Sequence, residues 1–596
     1  MRALAPDWTG SHKIILGVDI GATQSAVAFS YLCPGKPQGL QRVVEWPGQP
    51  AHKGQSRIPS AIYYDKNNRP RSFGAETMLS KTEDDAEDEG WNLVQHFKFH
   101  LHPDDIKRRH DFALEPLPNG LSLSQVYSDF MTYLLNHTKT YFGDRVLNGA
   151  RVWEAYHRDM TVVLAHPNGW GIREQGFLRQ AAIKAGLVTS ENAHSNIQFV
   201  SEAEASVHFC MFHTDLHQHM NTGVNFVVCD AGGSTIDTTA YYVRKTSPVL
   251  ELDETKASAC VQAGGVSVDK TFQRYLSSIL DKLNLSQDQR SDYMRNACRA
   301  FEEDVKKAFD GTGDELRVDL GAGRMNNEGL NIRRGKLTLT KETIRSFFTE
   351  SVETAIECIR QQKNRECEHI LLVGGFGESL YLRSMVNSEF SGNRCSVTVT
   401  SDPNAKAVAD GSVLWCMKRT VVSRATRMAY GVTIVTPYDP SDLAHLGREQ
   451  FLDDDGVYRV PGLWSQIVSK GTVMETNEAI REDYCRTYDN SNPALGNFSV
   501  NIYSYTGDGT NRNTWVIDKY GHTENGFEVV CKITADLSKM RKALQKLKGR
   551  NGKYYQLHFK IAIQFGDTEL KAFLEWEYSG RTFTSTAVVL PNEVSL

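Results

Sequence analysis

No basic excess, no paired cysteines and no long apolar run stand out in this sequence, and each absence removes a class of protein. Sixty-seven lysines and arginines against 72 aspartates and glutamates leave a net charge of −5 and a pI near 6.4. That balance lacks the electrostatic footprint of a nucleic-acid binder or of a protein held on an anionic membrane surface. The eleven cysteines are scattered singly, as at Cys210, Cys229, Cys260, Cys298 and Cys358. They form neither the close pairs of a zinc site nor a disulfide framework, and read as reduced thiols. Residues 1–12 contain no apolar core of signal-peptide type, and no window approaches the ~20 apolar residues that span a bilayer. Membrane insertion is not expected; a cytoplasmic location is the default, with the nucleus also open.

What is present points to a multidomain globular chain. Its 596 residues exceed what one hydrophobic core usually supports, and 40% hydrophobic with 23% charged residues is a soluble composition. Two segments repeat one design: Val18-Asp19-Ile20-Gly21-Ala22-Thr23-Gln24-Ser25 and Cys229-Asp230-Ala231-Gly232-Gly233-Ser234-Thr235-Ile236-Asp237. In each, an apolar strand ends in an aspartate, a glycine-bearing bend and a threonine, and a second β-rich stretch follows, so both are expected to be β-hairpins. Glycine lets the bend approach a ligand closely, and successive N–H groups and the hydroxyl can then point at phosphate oxygens. An aspartate beside phosphate needs an intervening cation, and Mg²⁺ is commonly held by one or two carboxylates plus substrate phosphates. Either segment alone also fits an ordinary Asp-Gly turn; the repetition argues for two related halves facing one phosphate group.

Between and after the hairpins, strands alternate with helices, the mark of an α/β domain. Residues 81–89 read as a solvated acidic loop, 122–141 as a helix behind a serine cap, and 160–165 as a strand. Further helices are expected at 171–186, 202–211, 297–309 and 341–362, and strands at 197–200 and 369–373. The last strand runs into Gly374 and Gly375, a third candidate ligand loop ahead of a helix from Ser379. Beyond about residue 421 the chain becomes rich in Val, Ile, Tyr, Phe and Thr, with strand patterns at 428–436, 457–468, 498–505, 525–534, 555–565 and 568–588 and a turn at Gly507-Asp508-Gly509. A separate β-sandwich-like domain is expected there, interrupted by a basic stretch at 539–548 with helical apolar spacing, read as a surface insertion or a contact for an acidic partner.

Asp19-Ile20-Gly21, Asp230-Ala231-Gly232-Gly233-Ser234-Thr235 and Leu372-Val373-Gly374-Gly375-Phe376-Gly377, in that order, resemble the actin-like ATPase superfamily. More closely, the chain resembles the DnaK-type heat-shock 70 family, in its divergent branch without a helical lid. Val163-Leu164-Ala165-His166-Pro167, Val200-Ser201-Glu202-Ala203-Glu204-Ala205, Gln262-Ala263-Gly264-Gly265 and Glu303-Asp304-Val305-Lys306-Lys307 extend the likeness. The resemblance implies a tail at 1–12, an α/β actin-like ATPase domain of two ribonuclease-H-like lobes at 13–420, and a β-rich substrate-binding-like domain at 421–596.

Carried over, the family pattern assigns Asp19, Glu202 and Asp230 to hydrated Mg²⁺ and the attacking water, and Lys98 to the γ-phosphate and nucleophile. Thr235 and Asp237 would stand near the γ-phosphate. Gly21, Ala22, Thr23 and Gln24 in the first loop, Gly232, Gly233 and Ser234 in the second, and Gly264 and Gly265 would line the ATP or ADP site. Glu303, Lys306 and Lys307, on one helix face by their spacing, would hold the adenosine, with Gly374, Gly375 and Phe376 beside it; from spacing alone a surface salt-bridge cluster is the preferred reading.

The resemblance implies a chaperone-like ATPase with protein or peptide clients and co-chaperones. Ala22 stands where the family carries a threonine, so turnover is expected to be slow, and Glu378 where an arginine is common. The family's inter-domain linker is not recognisable between Lys418 and Arg427, and a helical lid is not expected. A nucleotide-sensing scaffold without hydrolysis, and a sugar or carboxylate kinase on the same core, are the competing expectations.

Overall fold

A computed structural model describes residues 7–590 except 51–53, 104–113, 214–218, 247–249, 314, 393–394, 400–406, 419–420, 476–477, 508–514, 567–568, 579–580 and 585–587. The chain divides into two compact units, one of Met1–Trp170, Leu178–Asp253 and Ser258–Val421, the other of Gly171–Phe177, Glu254–Ala257 and Val422–Leu596. The fold is mixed α/β with several sheets.

In the first unit one strand pattern occurs twice. Lys13–Ile20 pairs antiparallel with Gln24–Leu32 and parallel with Thr161–His166, which runs parallel to Ile197–Ser201. Asn225–Ala231 pairs antiparallel with Ile236–Lys245 and parallel with Cys367–Val373, which runs parallel to Ser396–Val399. Seven consecutive residues of Lys13–Ile20 and all seven of Asn225–Ala231 are buried. Burial on both faces explains why these strands read as unbroken apolar runs rather than alternating ones. The second sheet packs Val227, Cys229 and Ile236 against Val268, Phe272 and Leu276 of helix Gly265–Leu280 and against Phe347, Val352 and Ile359 of helix Lys341–Gln362. Each such side chain contributes about 1.5–3 kcal/mol by leaving water.

Helix boundaries follow their caps. The Ser122 hydroxyl accepts from Gln125 N at 3.1 Å at the start of Leu123–Arg145, and the Thr340 hydroxyl accepts from Thr343 N at the start of Lys341–Gln362. Three expectations fail. The acidic stretch is not a loop but a helix, Ser80–Glu89, anchored by buried Ala86, closed by Gly90 at φ 68° and tied through Glu83 to Arg299. The helix expected from 297 begins at Gln287 behind a Ser286–Gln289 capping box, then widens into a π-turn at Phe301–Val305. The basic stretch is a 3₁₀ turn, Ser538–Ala543, seated by buried Met540, followed by strand Gln545–Gly549.

The second unit is antiparallel throughout its two main sheets. One runs Phe451–Leu452, Tyr458–Val468, Ala429–Pro437, Phe498–Tyr505, Phe527–Ala535, Val588–Leu590; the other runs Ala479–Tyr488, Gly552–Gly566, Glu569–Tyr578, Arg581–Thr584. Ile502, Cys531 and Ile533 from the first share one core with Leu557, Ile561, Ile563 and Leu574 from the second. Strand Ala479–Tyr488 escaped the sequence reading because its middle is Arg481-Glu482-Asp483, yet it pairs along its whole length with the strand at 552–566. Most of the turn expected at Gly507-Asp508-Gly509, and part of the 568–588 segment, lie outside the described residues.

Candidate functional site

Both glycine bends of the first unit close as hairpins, by different means. In the first, Asp19 stands opposite Ala26 and Ile20 opposite Ser25. Ser60, from the chain after strand Ile58–Pro59, clamps the bend: its hydroxyl donates to Gly21 O at 2.7 Å and its N–H to Thr23 O at 2.9 Å. In the second, Asp230 stands opposite Asp237, and Gly232 N donates to Thr235 O at 2.9 Å. Its carbonyls are taken up by the start of helix Gly265–Leu280: Gly264 N reaches Ser234 O, Gly265 N reaches Gly232 O and Val266 N reaches Gly233 O, at 2.9–3.1 Å.

The bends face each other. A Cβ on Gly233 would lie 2.9 Å from the Thr23 hydroxyl, so glycine is what allows this approach. Gly374 is constrained further: its φ of +85° suits glycine, and a Cβ there would lie 2.3 Å from Asp230 Oδ1.

Between the bends opens a cavity of about 750 Å³. Its first wall includes Ala22, Thr23, Gln24, Arg57, Ser60 and His96; its second includes Gly233, Gly265, Asp269, Glu303, Lys306, Lys307, Gly375, Phe376 and Glu378. Among the expected residues, Gly21, Gly232, Ser234, Gly264 and Gly374 support this surface without lining it. Asp19, Lys98, Glu202, Asp230, Thr235 and Asp237 likewise do not line it and are buried.

Four of those buried groups, Lys98, Glu202, Asp19 and Asp237, act on one another electrostatically. Lys98, the only buried lysine among the described residues, sits in a 3₁₀ turn at Phe97–Leu101 and pairs with Glu202 Oε1 at 2.5 Å. Burial pulls its pKa down, but the charges of Glu202, Asp19 and Asp237 outweigh burial and raise it above the ordinary lysine value. Glu202 is pushed up by burial and by the neighbouring Asp19 and Asp237, with Lys98 opposing. The Ser206 hydroxyl donates to Asp230 Oδ2 at 3.0 Å, and Asn168 N donates to Asp237 Oδ1 at 2.6 Å. Among the described residues no three metal-ligating side chains converge to grip an ion directly.

At the second wall the π-turn changes the expected geometry. Glu303 lies inside it and Lys306 just after, so α-helical spacing does not set their shared face, although Glu303, Lys306 and Lys307 all line the cavity. Lys306 Nζ is held by both oxygens of Asp269 at 2.6 and 2.7 Å. Burial pushes the Asp269 carboxyl up to about 6, with Lys306 opposing and Glu302 adding. Burial, with Lys270 and Lys306 nearby, pushes His96 down to about 4.

The two departures also find places. Ala22 packs with Phe99 and Val266, so the methyl group fills an apolar contact. Glu378 accepts an ion pair at 2.7 Å from Arg57 of the opposite wall. Arg57, Ser60, Asn168, Ser206 and Asp269 were missed by sequence reasoning; Asn168, in Pro167-Asn168-Gly169, and Ser60, in the Pro59-Ser60 pair before a β-rich run, carried local signals, and both were turn signals.

No family model matches the chain. It is 22% identical to human Heat shock 70 kDa protein 12A over 94% of its own length and 89% of that protein. With the same coverage it is 21% identical to the mouse protein of that name and 22% identical to human Heat shock 70 kDa protein 12B. Among the described residues no helix is long and apolar enough to cross a membrane.

Proposed function

We propose that this divergent relative of the heat shock 70 kDa proteins binds ATP and ADP with Mg²⁺ between its two glycine bends, hydrolyses ATP slowly, and uses nucleotide state to govern protein binding by its C-terminal β-rich unit. The observation that carries the reading is the approach of Gly233 to Thr23 beside a buried Lys98–Glu202 pair. Two bends that present glycines, hydroxyls and a helix N-terminus to one cavity suit a polyphosphate.

The donor set suits hydrated magnesium. Asp19, Glu202, Asp230 and Asp237 are all buried, and among the described residues Lys98 is the one lysine buried with them. With no direct three-ligand grip, Asp19, Glu202 and Asp230 would hold the ion through its waters. When bound, it would neutralise charge on the phosphate oxygens. Lys98, kept protonated by its carboxylate neighbours, offers a fixed positive charge to the terminal phosphate. Asp237, held by Asn168 N, is placed to orient water, and Thr235 and the bend amides add donors. Lys307, Glu303 and Phe376, lining the second wall, would flank the nucleoside, with Lys306 neutralised by Asp269.

Ala22 supports a second reading, a nucleotide sensor without turnover, because its contact with Phe99 and Val266 leaves no hydroxyl at that position. Equilibrium nucleotide binding and single-turnover hydrolysis, measured on the wild type and on Lys98→Ala, Asp19→Ala and Asp230→Ala, separate the two. Hydrolysis lost in the variants supports the ATPase; tight ATP binding without cleavage supports the sensor; no binding at all refutes both. For the β-rich unit, fluorescence anisotropy of unfolded peptides with the full chain should differ between ATP and ADP. Equal or absent peptide binding with both nucleotides would refute nucleotide control.

A further inference from the structure

Lys98 has a neighbour that none of the expected site residues includes. Its ammonium lies 5.5 Å from the ring centroid of Trp170, within the range where an aromatic face attracts a cation. Trp170 is itself fixed: its indole Nε1–H donates to His102 Nδ1 at 3.0 Å in a buried hydrogen bond. Both Trp170 and His102 are almost wholly buried, at 4% and 0% exposure. An indole N–H can only donate, so His102 Nδ1 must supply a lone pair and the imidazole is neutral, with its proton on Nε2.

The local fold makes this a bracket. Lys98 and His102 lie four residues apart, on and just after the 3₁₀ turn Phe97–Leu101, and His102 N donates back to Phe99 O at 3.3 Å. One turn therefore delivers a cation to the face of Trp170 and an acceptor to its N–H. Phe99, on the same turn, meets His102 edge-on at 5.7 Å and packs against Ala22 of the first bend. Moving the indole would break the hydrogen bond or withdraw the face from Lys98. The Glu202 carboxylate fixes Lys98 through charge; the ring adds a second restraint.

We infer that Trp170 is a positioning residue for Lys98, held in register by His102, and that the aromatic face helps keep the ammonium aimed at the terminal phosphate of a bound nucleotide. This rests on the reading above that Lys98 meets that phosphate. The consequence is selective: disturbing the ring should weaken the triphosphate and spare the diphosphate, which lacks the phosphate Lys98 serves. A role in packing alone would lower both affinities together.

The test uses the full chain, with ATP and ADP dissociation constants read by competition against a fluorescent ADP analogue. Trp170→Leu removes the face; Trp170→Phe keeps a face and loses the indole N–H. Trp170→Leu should weaken ATP about 5- to 30-fold, the span of a partly to fully desolvated cation–π contact, and leave ADP within about twofold. Trp170→Phe, which keeps a ring face but loses the bond to His102, should bind ATP more tightly than Trp170→Leu and more weakly than wild type, with ADP again within about twofold; ATP binding equal to wild type would remove His102 from the inference. Equal weakening of ATP and ADP in Trp170→Leu, or no change in either, overturns the inference and leaves nucleotide binding intact. Lys98→Ala that changes ATP and ADP affinity by the same factor, in a chain whose wild type binds both, removes the premise that Lys98 serves the terminal phosphate and overturns the inference while nucleotide binding stands. Wild type that binds neither refutes the proposed function and the inference together.

Discussion

The two walls of the cavity carry the same hairpin design but hold it in shape by different physics. At the first bend one residue does the closing, half of it by side chain: Ser60 bonds Gly21 O through its hydroxyl and Thr23 O through its N–H, and Ala22 anchors the loop through apolar contact. At the second the backbone does it: three amides at the start of helix Gly265–Leu280 take the carbonyls of Gly232, Gly233 and Ser234, while Gly374 passes against Asp230. A bend closed wholly by backbone tolerates side-chain change but no added Cβ at its contacts; a bend that draws one of its two clamping bonds from a hydroxyl is more exposed to side-chain change. Their electrostatics differ in the same way. His96 on the first wall favours its neutral form, and Asp269 on the second is biased toward its own neutral form.

That opposition gives the largest expected effect. His96 is pushed down to about 4, so its contribution to stability is full above the ordinary histidine value near 6.5 and is lost as pH falls toward 4, at most about 3 kcal/mol. Asp269 is pushed up to about 6, so in the native state it holds a proton that the unfolded chain has released; its contribution falls as pH rises from about 4 to 6. The two slopes oppose each other. Denaturant melts of His96→Gln between pH 4 and 6.5 should therefore show stability declining with rising pH more steeply than wild type, and Asp269→Asn should show the reverse. Parallel profiles would mean that the walls do not titrate differently.

Gly374→Ala comes next. A methyl 2.3 Å from Asp230 Oδ1, at φ +85°, should cost about 1–3 kcal/mol in a melt and weaken nucleotide binding at least about tenfold by displacing the Asp230 carboxylate. Ser60→Ala on the opposite wall should cost about 1 kcal/mol and leave the Asp230 side unaffected. If Ser60→Ala proved the more damaging of the two, the contrast between side-chain and backbone closure would be wrong. Smallest is Glu378→Gln, which breaks the half-exposed pair with Arg57 between the walls. It should change stability by about 0.2–1 kcal/mol at low ionic strength and by less at 0.5 M salt, about where screening shortens to a few ångströms.

Legibility followed the range of the interactions. The hairpins at Asp19 and Asp230 could be read because apolar run, aspartate, glycine and threonine are adjacent in sequence, and the register confirms each as a paired unit. The caps at Ser122 and the helix at 341–362 were local as well. The acidic helix at 80–89 was not, because composition suggested solvent while Ala86 and the Glu83–Arg299 pair bind it to distant chain. The basic stretch was misread for a similar reason: Gln545–Gly549 becomes a strand by pairing across a two-residue turn with the strand beginning at Gly552, and the Asn551-Gly552 signal was overlooked. The π-turn at Phe301–Val305 escaped because α-helical periodicity assumes uniform winding.

The sequence by itself determined that two aspartate-and-glycine bends exist, that each ends a buried strand, and that a β-rich region follows, because those properties reside in neighbouring residues. Only the tertiary structure decided that the bends meet at one cavity and that Glu202 lies against Lys98, 104 positions earlier. It also decided that Lys306 is neutralised by Asp269, that Arg57 answers Glu378, and that Trp170 covers Lys98. Charge and close contact act through space, and a side chain's partner is chosen by the packing of strands and helices that place it, not by its position along the chain.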